Sequence, residues 1–372
     1  LVKSLLLHYS SREVNKDKYE KYISIQDKYL YTQEWEIKSF RWLSQLQLYQ
    51  MQYTSSPDEP LIEIARNYTI LLNSIHDIKT HQFLLNRHKI NILYHEFIHD
   101  FASILILSDE FINRIKPAFR SSSMVLSINI RKLFAMIQLG RNDAAIECGQ
   151  TILKISSIES FGWFLGGYYT LKAYLYNKNY RESAFLISKI YENPKFKRLS
   201  STLNEAFNAT LGCIHLLKSV YHPADTQFKT SLPEFKLYKF LNTIPTFSKD
   251  KRGLNVTILL MHIGFLLLRK DYNGIIDRVD SLKHYAYRHL RRDDTFRSNC
   301  MIKMVIQMTK ADFHPIRTAR YTEDLLAKLK EVNLAGSGKN IETEIIPYEV
   351  LWDIMMKTCE TNFYSKRTKG IA

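Results

Sequence analysis

Glycine and proline are scarce in this chain, with 12 and 9 among 372 residues. Sheet-rich and loop-rich folds need more turn-forming residues than that, whereas helices joined by short connections need few. Cysteine is scarcer still. Cys148, Cys213, Cys300 and Cys359 stand far apart and form no C-x-x-C pair, so the sequence supports neither a zinc ribbon nor a thioredoxin-type site. Isolated thiols point to a reducing compartment. The longest apolar run, NVTILLMHIGFLLL (255–268), contains His262 and is too short to span a bilayer. The opening LVKSLLLHYS is too short and too polar for a signal peptide. These absences predict a cytoplasmic protein with no membrane partner. The first residue is Leu, which leaves room for a preceding domain that holds whatever catalytic chemistry exists.

Phosphate and nucleophile motifs are missing too. No G-x-x-x-x-G-K-[ST], G-x-G-x-x-G or G-x-S-x-G occurs. LAGSGKN (334–340) resembles a phosphate loop only faintly. It lacks a preceding apolar strand and a Ser or Thr after Lys339, and a surface loop accounts for it. The sequence therefore implies no cofactor.

Aromatic residues, by contrast, are abundant: 23 Tyr, 20 Phe and 4 Trp, a supply suited to filling gaps between packed helices. The composition is 45% hydrophobic and 24% charged, which is that of a folded chain rather than a disordered one. The net charge is +15, which favours acidic partners or nucleic acid.

Helical periodicity runs through nearly every segment. In EWEIKSFRWLSQLQLYQMQY (34–53), Trp35, Ile37, Phe40, Leu43, Leu46 and Leu48 recur at helical spacing. DEPLIEIARNYTILLNSIHD (58–77) opens on acids and Pro60, a helix-start signature. Residues 83–107 read as one long helix or two abutting ones. The most strand-like piece, ETEIIPYEV (342–350), is interrupted by Pro347.

From about residue 120 the helices pair. SSMVLSINIRKLFAMIQL is followed by Gly140-Arg141-Asn142 and then DAAIECGQTILKI. FGWFLGGYYTLKAYLYN is followed by Lys178-Asn179-Tyr180 and RESAFLISKIYENP. NVTILLMHIGFLLLR is followed by Lys270-Asp271-Tyr272 and NGIIDRVDSLKHYA. With Leu139 and Gly140 at the turn and Ala145 at the small position of the second helix, these pairs resemble tetratricopeptide repeats. Tyr180 and Tyr272 stand at the aromatic turn position of that repeat. The other two pairs depart from it, with Lys178 and Ser183, and Lys270 and Ile275, at the Gly and Ala positions. The resemblance covers roughly 120–290. FLNTIPTFSKDKRGLN (240–255) and Glu344-Ile345-Ile346-Pro347-Tyr348-Glu349 are in addition similar to segments of bacterial helical-repeat proteins with no assigned function.

One stretch invites a metal. YHEFIHD (94–100) contains His95-Glu96-x-x-His99, the H-E-x-x-H spacing that sets two imidazoles on one helix face with a Glu as base. No H-x-x-G-x-x-H extension follows, and neither Asp100 nor Glu110 supplies a trusted third ligand. The plain expectation is that His95 and His99 are ordinary helix residues.

The densest basic and aromatic stretch is KHYAYRHLRRDDTFR (283–297). Arg288, Arg291 and Arg292 fall at helical steps on one face, suited to phosphates or carboxylates. Lys251 and Arg252 precede Gly253 in a polar turn that is suited to an anion at a helix N-terminus. In the tail, Ile345, Tyr348, Leu351, Trp352 and Ile354 form an apolar stripe. It is read as a cap folded over the last repeat, or else as a partner-docking site.

Together these features predict an all-α chain, an irregular tetratricopeptide-like solenoid of antiparallel helix pairs. Residues 1–119 form an N-terminal helical region, 120–310 the helix pairs and 311–372 a helical cap. The expected function is a non-enzymatic scaffold that holds an acidic peptide or partner protein in a concave helical groove. Its binding residues are expected to be Lys251, Arg252, Arg288, Arg291 and Arg292. Two alternatives stand beside it: a nucleic-acid-binding repeat protein that uses that basic face, and a zinc metallopeptidase with His95 and His99 as ligands and Glu96 as base. The sequence leaves the oligomeric state open.

Overall fold

The computed structural model describes residues 2–52, 59–115, 122–222, 232–238, 254–289, 296–332 and 344–368. It is all-α: 84% helix, with 15 α-helices and no strand among the described residues. The chain divides into two compact units, 1–53 with 57–98, and 99–372 with 54–56. Within the second unit, the helix that follows His99 packs on the next one in the chain.

Unit one holds α1 (Val2–Ser11), α2 (Lys16–Gln52), α3 (Glu59–Ser74) and α4 (His81–Phe97). Leu43 and Leu46 of α2 pack with Leu61, Ala65 and Leu72 of α3 and with Phe83, Ile90 and Leu93 of α4. Trp42 stacks on Tyr68 with ring centroids 4.3 Å apart, and buried Asn86 donates to Ser39 Oγ at 3.0 Å. The helical periodicity of 34–53 is real but serves two faces. Leu43 and Leu46 enter the core, whereas Ile37, Phe40 and Leu48 are exposed.

Unit two runs α5 (Phe101–Arg114), α6 (Ser122–Gln138), α7 (Asn142–Ile155), α8 (Phe161–Tyr176), α9 (Tyr180–Glu192), α10 (Ser201–Tyr221), α11 (Leu254–Leu268), α12 (Tyr272–His289), α13 (Phe296–Lys310), α14 (Pro315–Glu331) and α15 (Tyr348–Thr368). Four of its hairpins, α6–α7, α8–α9, α11–α12 and α13–α14, share one turn. Gly140, Lys178 and Lys270 all adopt left-handed backbone, with φ of 69°, 61° and 60°. In each, the next N–H reaches back five residues: Arg141 to Met136, Asn179 to Tyr174 and Asp271 to Leu266, at 2.8–3.0 Å. This is the Schellman closure of a helix end. Five residues after each left-handed position lies a fully buried side chain, Ala145, Ser183 or Ile275. The fourth hairpin closes the same way through Phe313 and Met308, but two successive residues, Asp312 and Phe313, are left-handed.

Close approach within the hairpins depends on small residues. A Cβ at Gly166 of α8 would run into Ile152 of α7. The core then extends from Trp163 and Phe164 through α10 and α11 to α15.

The structure corrects the docking-site reading of the tail. Ile345, Tyr348, Leu351, Trp352 and Ile354 are all buried in the core of unit two. There α15 packs against α10, α11, α13 and α14, so the stripe is consumed by the chain's own interior.

Candidate binding groove

The residues singled out from sequence fall into two groups. Lys251, Arg252, Arg291 and Arg292 lie outside the described residues; Arg288 lies on α12, with its side chain outside them. His95, Glu96 and His99 are described, and they do not lie on one helix. α4 ends at Phe97, and His99 sits in a left-handed turn with φ of 59°. Asp100 then caps α5 by accepting the Ser103 N–H at 3.1 Å. The segment 83–107 is thus two helices broken at the motif, and the spacing that would aim both imidazoles at one metal is lost. Glu96 is buried, whereas His95 and His99 are half-buried. Among the described residues, no group of three or more His, Cys, Asp or Glu side chains is placed to hold a metal.

A groove of about 580 Å³ opens instead between α7, α8 and α9. Its floor is made by buried Trp163 and Tyr174 of α8 and Leu186 of α9. Gln150 of α7 donates to Tyr174 Oη at 3.2 Å, which ties the floor to the wall. Arg181, Phe185 and Lys189 recur every four residues on α9 and so share one face. Lys154 rises from α7 opposite them, and Ile158 enters from the α7–α8 turn. Buried Asn193 donates to the Ile158 carbonyl at 2.7 Å and fixes that turn.

The rim is both apolar and basic. Phe185 is 59% exposed and Ile158 58%. Lys189 Nζ lies 4.4 Å from the Phe185 ring centroid, a cation–π contact that holds the ammonium over the groove. Three cations line the groove against a single carboxylate, Glu182. Neither Lys154 nor Lys189 makes an ion pair among the described residues. A smaller groove of about 320 Å³ lies on the opposite side of α8, lined by Phe134, Phe161 and Tyr169 with Arg131 as its cation. It lacks the charge of the first.

A second charged cluster is closed to ligands. Arg297, from the basic stretch, is 3% exposed and makes bidentate bonds to two carboxylates. Its Nε and Nη2 donate to Glu344 at 2.5 and 3.0 Å, and Nη1 and Nη2 to Glu349 at 3.0 and 2.8 Å. Nη1 also donates to the Leu329 and Val332 carbonyls at 2.8 and 2.5 Å, at the end of α14. Glu344 in turn accepts the Tyr348 N–H at 2.9 Å, at the start of α15. Burial pushes the Glu344 carboxyl up, against the opposing pull of Arg297. Nearby, burial lowers the Lys172 ammonium to about 8, with partial compensation from Glu344.

The groove escaped sequence reasoning because it is assembled from three helices. One signal was available: Phe185 and Lys189 sit on α9 away from the buried positions Ala184, Ile187 and Ile190. No protein-family model, curated protein or solved structure matches this chain.

Proposed function

We propose that this chain is a non-enzymatic binding scaffold of tetratricopeptide-like helix pairs that holds an acidic segment of a partner protein. The observation that carries the reading is the α7–α9 groove, where an aromatic floor and exposed Phe185 and Ile158 are flanked by Lys154, Arg181 and Lys189. An apolar anchor side chain fits against Trp163 and Phe185, and neighbouring carboxylates meet the cations. Desolvated aromatic contacts supply most of the affinity at such surfaces, while exposed charges steer the approach. The recurrent turn at Gly140, Lys178 and Lys270 supports the repeat reading. The four free cysteines agree with a reducing compartment such as the cytoplasm.

The test is fluorescence titration with labelled peptides that carry one Leu or Phe among Asp and Glu residues, alongside single-stranded and duplex oligonucleotides. Trp163 offers an intrinsic signal at the groove floor. Saturable peptide binding with modest salt dependence, weakened by Phe185→Ala, is expected. Binding of the oligonucleotides alone, falling steeply with salt, would replace the reading with the nucleic-acid alternative suggested by the +15 charge.

A further inference from the structure

We infer that the α7–α9 groove is polarised in charge along its length and selects a bipolar segment, with carboxylates on one side of its apolar anchor and lysine or arginine on the other. The inference rests on the groove as the partner-binding site and adds which way the ligand lies in it. The two walls carry one pattern. Glu147, Gln150 and Lys154 of α7 stand at steps of three and four, and so do Glu182, Phe185 and Lys189 of α9. Seven residues are close to two helical turns, so each glutamate shares the face of its lysine, about 10 Å away along the axis. Five of these six side chains line the groove, and Glu147 continues the α7 row one turn beyond Gln150. Glu147, Lys154, Glu182 and Lys189 are exposed, and none makes an ion pair among the described residues.

α7 and α9 both run antiparallel to α8, which brings like ends together. At one end Asn177, just after α8, donates to the Asp143 carboxylate in the first turn of α7 at 3.0 Å. At the other, Asn193, just after α9, donates to the Ile158 carbonyl between α7 and α8 at 2.7 Å. Lys154 and Lys189 therefore flank the groove beside Ile158, and Glu147 and Glu182 flank its far end. Arg181 lies beside Glu182, so the far end sets two carboxylates against one guanidinium. Beside Ile158 the lining holds two ammoniums and no carboxylate, and Glu159 of the adjoining turn is paired with Lys195 at 3.5 Å. A uniformly acidic ligand anchored on Trp163 and Phe185 sets like charges together at Glu147 and Glu182. A segment with carboxylates toward Ile158 and a cation toward the glutamates meets opposite charge at both ends.

Titration of the full chain with three labelled peptides of identical composition tests the polarity, because equal net charge removes long-range attraction from the comparison. Each carries one Phe among Asp and Lys residues. Two are blocks, with Asp before and Lys after the Phe or the reverse, and in the third Asp and Lys alternate. The better block peptide should bind about fivefold more tightly than the alternating one. Phe185→Ala should weaken all three. Glu147→Gln combined with Glu182→Gln should erase most of the difference between block and alternating peptides, with unchanged helicity by circular dichroism. A role for these glutamates in their helices alone would not move that difference. Equal binding of block and alternating peptides, or a preference that survives the double substitution, would overturn the inference and leave the groove as a binding site. Absence of any binding sensitive to Phe185→Ala would overturn both.

Discussion

The Arg297 cluster and the α7–α9 groove both concentrate charge, and they use it in opposite ways. Around Arg297 the guanidinium, two carboxylates and two helix-terminal carbonyls satisfy one another inside the protein. In the groove, Lys154 and Lys189 stand at the surface over aromatic walls. Burial decides the difference. A buried charge without partners costs the fold several kcal/mol, so the interior cluster is complete, whereas an exposed ammonium stays hydrated and needs no partner. Charge that is internally complete holds structure, and charge left open beside apolar surface is where we propose that a partner docks.

The largest expected effect breaks the interior side of that contrast. Arg297→Leu leaves Glu344 buried without its cation and should destabilise unit two by about 3–5 kcal/mol in urea unfolding. Adding Glu344→Leu should recover a substantial part. If Arg297→Leu alone costs less than about 1 kcal/mol, the cluster is not what holds α13, α14 and α15 together.

Lys172 sharpens the contrast, because it is buried without an ion pair. Its folded ammonium titrates at about 8, below the usual lysine range near 10.5, because burial disfavours the charge. Between those two values the unfolded chain binds more protons than the folded one, so stability should rise as pH increases from about 8 to about 10.5. Below pH 8 the buried charge opposes folding by roughly 3 kcal/mol. Lys172→Met should therefore raise the melting temperature at pH 7 and flatten the alkaline rise. A lower melting temperature at pH 7 would contradict this account.

The groove side predicts smaller effects, and on binding rather than on stability. Phe185→Ala should weaken an acidic, apolar-anchored peptide by about 1–2 kcal/mol in titration. Because Phe185 is exposed, its melting temperature should stay within about 1 °C of wild type. Lys154→Gln and Lys189→Gln should each reduce affinity by about 0.5 kcal/mol and flatten its salt dependence. Equal losses for neutral and acidic peptides would remove the charge from the explanation.

The helical class was legible from the shortage of Gly and Pro and from periodicity, both of which report local backbone preference. The register of three turns was legible as well: Gly140, Lys178 and Lys270 share a conformation although only the first is glycine. The α13–α14 turn hid from the pattern because Asp312 and Phe313 are both left-handed, one residue more than in the others. The break at His99 was encoded in Asp100 and Ser103, a cap whose local bond outweighed the apolar run around it. Periodicity could not tell which apolar residues of α2 face inward, because a helix with two apolar sides satisfies the same spacing twice. Arg297 read as one more cation in a basic stretch, since its carboxylate partners lie 47 and 52 residues away. Of the five expected binding cations, four lie outside the described residues and the side chain of the fifth does as well.

The repeated hairpin turn also sets how the second unit comes apart. Each turn is closed by its own helix ends, through bonds such as Asn179 to Tyr174, so a pair retains its shape when contact with its neighbours is lost. Hydrogen exchange should then resolve unit two into pair-sized openings, with the amides of Arg141, Asn179 and Asp271 each exchanging together with the helices they join.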